Sequence, residues 1–153
     1  MGSGKTTVAT YLKERYSAST YRFSTMLRDV LDRLYIENTR ENLQKISTSV
    51  RELYGEDTMA KVMAKDVEND ENNIIVVDGV RRPDDVKYLK ELPGFVLLTV
   101  TADITTRFER ISVRSENPDD QQKTLESFKQ DHEGEPERKI DEVSESADVS
   151  LEN

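Results

Sequence analysis

The chain opens on residues whose types and spacing are suited to holding phosphate. Residues 2–7 read G-S-G-K-T-T and match the end of the pattern G-x-x-x-x-G-K-[ST]. Glycines allow backbone N–H groups to close around phosphate oxygens, the Lys5 ammonium adds a point charge, and the Thr6 hydroxyl can ligate Mg²⁺. We therefore predict a site for ATP and Mg²⁺ formed by Gly2, Ser3, Gly4, Lys5, Thr6 and Thr7.

The start of this loop pattern is not present in the sequence. Its first glycine would fall two places before Met1, and the strand that normally feeds such a loop would lie before that. We therefore expect a sheet whose first strand is missing from this sequence, with neighbouring strands carrying unpaired backbone groups at a cost of ~1–3 kcal/mol each. The alternative is a Gly/Ser-rich start left over from a tag.

Arginines on a later predicted helix provide a second phosphate-binding feature. Arg107, Arg110 and Arg114 lie three and four residues apart and so share one helix face. Asp103 offers Arg107 an ion pair, whereas Arg110 and Arg114 have no acid at helical spacing. Their mutual repulsion would become attraction around a bound polyphosphate, so both are candidate ligands of one. The alternative is a solvated face or ion pairs with distant acids.

An acidic and basic segment, D-G-V-R-R at residues 78–82, follows an apolar strand. Ligands of open α/β sheets bind beyond the carboxyl ends of the strands. Asp78 is placed there to hold Mg²⁺ directly or through water, and Arg81 or Arg82 can bind a phosphate with its forked guanidinium. A turn cap and a plain surface turn are the alternatives.

Helical and strand patterns alternate along the chain. Residues 74–77 and 95–98 are apolar on both faces, which is typical of parallel strands covered by helices. Asn38, with Glu41 three residues later, predicts a capping box, and Asp57 predicts another helix start. Apolar spacing predicts helices at 5–17, 25–35, 38–54, 57–67, 104–111 and 137–146, further strands at 21–23 and 148–151, and a polar flap at 115–136. This order indicates a parallel α/β sheet.

Composition limits the class of partner. The chain has 153 residues, which suits one domain, and 31 acidic against 22 basic residues give a net charge of −9. A nucleic-acid partner would need a basic stripe, and a membrane span would need an apolar run of ~20 residues; the sequence has neither. Cysteine is absent, so disulfides and thiolate metal sites are excluded, which fits a cytoplasmic protein. The lone His132 is predicted to be solvated.

Taken in order, these segments resemble the P-loop nucleoside and nucleotide kinases, in particular adenylate-kinase-related proteins and dephospho-CoA kinases. Residues 23–28 resemble the acceptor segment S/T-G-D-M-L-R without its Gly-Asp, and residues 78–82 resemble D-G-x-P-R without its proline. Residues 110–114 resemble the R-x-x-x-R that opens the lid. Residues 51–55 and 147–153 resemble R-E-x-Y-G and A-D-x-x-I-x-N.

The resemblance implies a three-layer α/β/α P-loop NTPase fold with a mostly parallel sheet, as one domain over 1–153. It implies an acceptor-binding helical region at 24–70, a short lid at 115–136, and transfer of the γ-phosphoryl group of ATP to a small acceptor. Arg110 and Arg114 would close over the ATP phosphates, and Asn153 would lie near the adenine. The acceptor would be held by Ser24, Thr25, Arg28, Arg51, Arg81 and Arg82.

Two other functions remain open from the residues alone. A nucleotide-dependent switch or ATPase would use the loop without needing the acceptor arginines. A form that lacks the first strand could also be inactive and bind nothing. Neither the identity of the acceptor, the choice of ATP over GTP, nor the oligomeric state follows from the sequence.

Overall fold

The computed structural model describes residues 2–114, 124–132 and 135–153. The chain divides into two compact units, one formed by residues 1–8 and 96–153 and the other by residues 9–95. They are called the loop unit and the helical unit below. Much of the predicted lid at 115–136 and the side chains of Arg114 and His132 lie outside the described part. No helix in that part is long and apolar enough to cross a membrane.

The helical unit is built on one parallel strand pair. Strand β1 (Ser19–Arg22) pairs with β2 (Ile75–Asp78) in the register Ser19↔Ile75 to Arg22↔Asp78. Helix α1 (Lys5–Tyr16) begins in the loop unit and leads into β1. The other helices of the unit are α2 (Phe23–Arg33), α3 (Arg40–Tyr54) and α4 (Thr58–Glu68), followed by two 3₁₀ turns, Pro83–Val86 and Leu89–Glu91.

The core of this unit lies where α2 and α4 meet. Phe23 and Leu27 are four residues apart on α2, so they lie on one helix face, and Met59 and Met63 have the same spacing on α4. Leu89 from the second 3₁₀ turn completes the buried cluster. Burying these side chains fixes α2 behind the carboxyl end of β1, the end at which ligands of α/β sheets bind.

The loop unit has its own parallel strand pair. Strand β3 (Leu98–Thr101) pairs with β4 (Val149–Glu152), and the chain between them forms α5 (Ile104–Arg114), α6 (Leu125–His132) and α7 (Glu135–Glu145). The Phe108 and Phe128 ring centroids lie 5.8 Å apart, within the range of favourable aromatic pairs. Val100, Ile111 and Val143 are also buried, so α5, α6 and α7 each contribute to this core.

The predicted parallel α/β architecture is confirmed, and four local predictions are corrected. The strand predicted at residues 21–23 lies at Ser19–Arg22, and Phe23 begins α2. The strand predicted at residues 95–98 lies instead at Leu98–Thr101. Helix α3 is capped by Thr39, whose hydroxyl accepts from the Asn42 N–H at 3.1 Å, because the Asn38 side chain donates to Asp32. Strand β2 is half-buried rather than fully buried, because the sheet formed by the described residues has only two strands.

The segment that carries Arg81 and Arg82 is joined to the start of α4 by one side-chain cluster. The Tyr88 hydroxyl donates to the Asp57 carboxylate, and the Lys61 ammonium lies 3.1 Å from the same carboxylate. The Tyr88 hydrogen bond first, and Lys61 second, lower the pKa of Asp57 from 3.8 to about 2. Both interactions favour the charged carboxylate, so the cluster stabilises the fold only while Asp57 is ionised.

We expect Tyr88→Phe to lower the free energy of unfolding most above pH 4. The substitution returns the folded-state pKa of Asp57 toward 3.8. A lowered carboxylate pKa stabilises the fold above the unfolded-state value, and that contribution is lost as the pH falls from about 4 to about 2. Urea unfolding at several pH values should therefore show a difference between variant and wild type that shrinks toward pH 2.

The control for this experiment is Tyr35→Phe, which removes a hydroxyl from a side chain that is 92% exposed. It should leave the unfolding midpoint unchanged at every pH. A loss of stability in Tyr88→Phe that is the same at pH 2 and pH 7 would contradict the role assigned to the Asp57 carboxylate.

Candidate phosphate-binding site

The loop at residues 2–4 has a backbone shape that requires glycine. Gly2 has φ +75° and Gly4 has φ +100°, which lie in the left-handed region that other residues rarely adopt. A Cβ at Gly2 would lie 2.6 Å from the Arg107 carbonyl oxygen, and one at Gly4 would lie 2.2 Å from Asn153 Nδ2. Side chains are therefore excluded at both positions, because the loop backbone lies directly against Arg107 and Asn153.

Lys5 folds back over this loop. It is the first residue of α1, and its Nζ donates to Ser3 Oγ at 3.1 Å. Ser3 is only 5% exposed, whereas Lys5 is exposed. The Val8 N–H donates to the Gly4 carbonyl at 3.2 Å, so the first helical turn starts directly at the loop. Loop amides, a helix N-terminus and an ammonium group thus come together as an anion site requires.

Two side chains bind the loop through its carbonyl oxygens. Arg110 Nη1 on α5 lies 3.4 Å from the Gly2 oxygen, and Asn153 Nδ2 lies 3.1 Å from the Ser3 oxygen. The resemblance implied that Asn153 lies near the adenine, and here its side chain contacts the loop itself. No sequence signal indicated this contact, because the two residues are 150 positions apart.

The two oxygen ligands predicted for Mg²⁺ lie in different units of the chain. Thr6 lies exposed in the first turn of α1, immediately after Lys5, and Asp78 ends β2 in the helical unit. Within the described part, no three or more His, Cys, Asp or Glu side chains form a metal-binding group. Mg²⁺ commonly uses one or two protein oxygens together with substrate phosphates and water, so one hydroxyl such as that of Thr6 suits that ion.

The Asp78 carboxylate is held by two partners. One oxygen accepts from the Gly79 N–H at 2.7 Å, and the other lies 3.4 Å from Arg22 Nε. Arg22 and Asp78 are direct neighbours across β1 and β2. The sequence pattern does not point to Arg22, because only the strand register brings it beside Asp78. Its charge next to Asp78 favours contact with a metal through water rather than direct ligation.

A cluster of arginines lies in the helical unit. Arg51 on α3 is half-buried and its Nη1 donates to Ser47 Oγ. Its pKa is lowered, first by burial and second by repulsion from Arg82, which in turn lies 3.3 Å from Glu56. The two guanidinium groups are therefore close enough to repel each other. A bound anion would relieve both the repulsion and the cost of burial.

A buried carboxylate shapes the turn that carries two of these arginines. Asp85 is only 8% exposed, and its Oδ2 accepts from the Arg81 N–H at 2.9 Å and the Arg82 N–H at 3.0 Å. Arg82 extends toward Arg51 from this turn, whereas the Arg81 side chain is exposed. Asp85 is not among the predicted site residues, although an acid two residues after Pro83 is a usual signal for a turn of this kind.

The predicted acceptor residues of α2 make no hydrogen bond or ion pair with Arg51 or Arg82 in the part of the chain that the structure describes. Ser24, Thr25 and Arg28 are exposed on the first turns of the helix. Within the described ranges, no hydrogen bond or ion pair joins Arg28 to Arg51 or to Arg82. Thr25 instead lines a cavity of about 220 Å³. The other residues that line it are Tyr21, Arg22, Met26, Asp29, Met63 and Asp66.

Comparison with known families gives a match over most of the chain. Residues 1–129 match the model of a family described as AAA domain. A "UPF0200 protein" of Hyperthermus butylicus is 33% identical over 84% of this chain and 68% of its own length. Another from Staphylothermus marinus is 35% identical over 74% of this chain and 59% of its own length.

A "UPF0200/UPF0201 protein" of Archaeoglobus fulgidus matches 99% of this chain at 30% identity, over 47% of its own length. The chain thus spans about half to two thirds of the lengths of these curated relatives.

Solved structures share the fold. A crystal structure of TT1252 from Thermus thermophilus has a TM-score of 0.58 and 16% identity, covering 100% of this chain and 84% of that one. A structure of an uncharacterized protein from Eubacterium ventriosum has a TM-score of 0.55 and 15% identity, and the match covers 99% of this chain and 81% of that protein. At these identities the likeness concerns the arrangement of helices and parallel strands.

Proposed function

Because the chain belongs to the AAA domain family and has the α/β fold of a P-loop NTPase of nucleotide-kinase type, we propose that it is an ATP-dependent phosphotransferase. In this proposal it moves the γ-phosphoryl group of ATP to a small nucleotide-like acceptor, such as a nucleoside monophosphate or dephospho-CoA. The main support is the loop at residues 2–4, with glycines at positive φ and the Lys5 ammonium turned back onto it.

The donor nucleotide is assigned to the loop unit. The Ser3 and Gly4 amides and the start of α1 would hold the phosphate oxygens, and Lys5 would exchange its hydrogen bond to Ser3 for one to a phosphate. Such an exchange is chemically favourable, because the ammonium gains an oppositely charged partner in place of a neutral hydroxyl. The Thr6 hydroxyl would hold Mg²⁺, which neutralises phosphate charge when bound, and Asp78 stays a predicted ligand of that ion.

The acceptor is assigned to the helical unit. Arg51 and Arg82 lie close enough to repel each other, although Asp85 and Glu56 offset part of that repulsion, and the exposed Arg81 lies beside Arg82 on the same turn. Phosphoryl transfer demands positioning and charge neutralisation rather than covalent chemistry from the protein. A phosphate monoester held by these guanidinium groups would have its nucleophilic oxygen oriented by them, which is the contribution that an acceptor site has to make.

We expect Arg51→Met and Arg82→Met each to raise the KM for the acceptor about 10- to 100-fold, the effect of losing one hydrogen bond between charged groups. The affinity for ATP should not change, because neither residue belongs to the loop unit. The measurement is ADP production from ATP and Mg²⁺ with a panel of nucleoside monophosphates and dephospho-CoA. Arg40→Met, an exposed position on the same helix, is the matched control.

The same panel tests the competing function. A nucleotide-dependent switch or ATPase needs the loop but no acceptor arginines. Slow ATP hydrolysis that no acceptor accelerates, with Arg51→Met equal to wild type, would replace the phosphotransferase proposal with that alternative. If the chain does not bind ATP at all, both the phosphotransferase and the switch or ATPase function are excluded.

A further inference from the structure

The outer side of the phosphate-binding loop is held by side chains that come from elsewhere in the loop unit. Asn153 Nδ2 donates to the Ser3 carbonyl at 3.1 Å, and Arg110 Nη1 lies 3.4 Å from the Gly2 carbonyl. Both contacts are made to carbonyl oxygens, which cannot themselves bind a phosphate. They therefore act on the orientation of the peptide planes that carry the phosphate-binding amides.

Because a peptide bond is planar, the orientation of its carbonyl also sets the orientation of its N–H. All described peptide bonds are trans, so the carbonyl and the N–H of one peptide point in opposite directions. When Asn153 holds the Ser3 carbonyl, the Gly4 N–H must point to the other side of the loop. Gly4 has φ +100° and no Cβ, so without that contact its peptide planes could rotate at little steric cost.

The position of the Asn153 side-chain amide is fixed by the sheet, so it can set the orientation of the Ser3–Gly4 peptide. Its backbone N–H donates to the Thr101 carbonyl at 2.9 Å, directly after the last β3–β4 ladder pair, Thr101 and Glu152. A Cβ on Gly4 would approach Asn153 Nδ2 to 2.2 Å, so the amide lies tightly against the loop backbone. The sheet thus fixes the donor, and the donor fixes the Ser3–Gly4 peptide.

We propose that Asn153 is a positioning residue that keeps the Gly4 amide directed at the phosphates of the bound nucleotide. It acts on the polyphosphate through the loop rather than contacting the adenine. This inference rests on the proposed function, since it assumes that the loop binds ATP. The two roles differ in what a substitution of Asn153 should change. If Asn153 acts through the loop, the substitution should weaken binding of inorganic tripolyphosphate, which has no adenine, as well as binding of ATP.

The experiment measures binding of ATP and of inorganic tripolyphosphate, each with Mg²⁺, by calorimetry. For Asn153→Ala we expect both affinities to fall by the same factor, about tenfold, the value of one hydrogen bond. Asn153→Asp keeps the size of the side chain and replaces the donor with a charged acceptor facing the Ser3 oxygen, so it should lose more. Glu152→Gln, the exposed neighbour on β4, is the control and should bind both ligands as wild type does.

A loss of ATP affinity with unchanged tripolyphosphate affinity would overturn the proposal in favour of an adenine contact. Unchanged affinity for both ligands in either variant would overturn it as well. If Asn153→Ala is unstable by thermal unfolding, the same-size aspartate variant supplies the comparison. Wild-type protein that binds neither ligand would instead remove the proposed function, an outcome visible before any variant is made.

Discussion

Lys5→Met is expected to lower the rate of ATP turnover about 10²- to 10³-fold, the usual effect of removing one preorganised group that stabilises charge in the transition state. Methionine keeps the length and the helix propensity of the side chain but not its charge. Lys5 is exposed and its ammonium contacts only the Ser3 hydroxyl in the described part, so the fold should be preserved. Steady-state ADP production and circular dichroism measure the two effects.

The matched control is Lys13→Met, an exposed lysine on the same helix. It makes the same chemical change two turns away from the loop and should leave turnover unchanged. Turnover by Lys5→Met within a factor of two of the control would mean that the loop does not act on the transferred phosphoryl group.

Arg110→Ala is expected to have the larger effect, a loss of about 10³-fold or more in kcat, as found for arginines that stabilise phosphoryl-transfer transition states. Arg110 is exposed on α5 and its Nη1 lies 3.4 Å from the Gly2 oxygen, so its guanidinium would have to leave this carbonyl to reach a phosphate. The guanidinium is therefore at the loop. A group that acts on the transition state lowers kcat more than it weakens ATP binding.

The comparison of kcat with the affinity for ATP separates this role from one in loop positioning. If Arg110 only held the Gly2 carbonyl, Arg110→Ala would weaken ATP binding and leave kcat at saturation nearly unchanged. Arg33→Ala, an exposed arginine at the end of α2, should match wild type in both quantities. The equivalent expectation for Arg114 stays a prediction, since its side chain lies outside the described residues.

The helices and the loop were predictable because their signals are local. The prediction of a helix at 25–35 agrees with α2 within two residues at each end, although Phe23, predicted to end the preceding strand, begins the helix instead. The loop at residues 2–4 has left-handed backbone angles at Gly2 and Gly4, and glycine is the residue that adopts such angles most readily, so the sequence itself indicates this conformation. Strand β3 was misplaced because Phe95 is apolar for another reason: it packs against the core of the helical unit instead of forming a ladder.

Contacts between residues distant in the sequence could not be predicted in the same way. Arg22 meets Asp78 only because β1 and β2 pair in one particular register. The charge of Arg22 alone does not specify that register. The repulsion between Arg51 and Arg82 likewise requires α3 to pack beside the turn after β2. The resemblance therefore indicated which arginines would hold the acceptor. Only the structure shows that Arg51 and Arg82 lie close enough to repel each other.

The hydrogen bond between Ser3 and Asn153 also has a consequence for synthesis of the chain. It joins residues 150 positions apart, so the loop is made long before its partner leaves the ribosome. Until β4 has emerged and paired with β3, the Ser3 carbonyl lacks this hydrogen bond. We therefore expect ATP to bind an emerging chain more weakly before that pairing than after it, and so to stabilise it less.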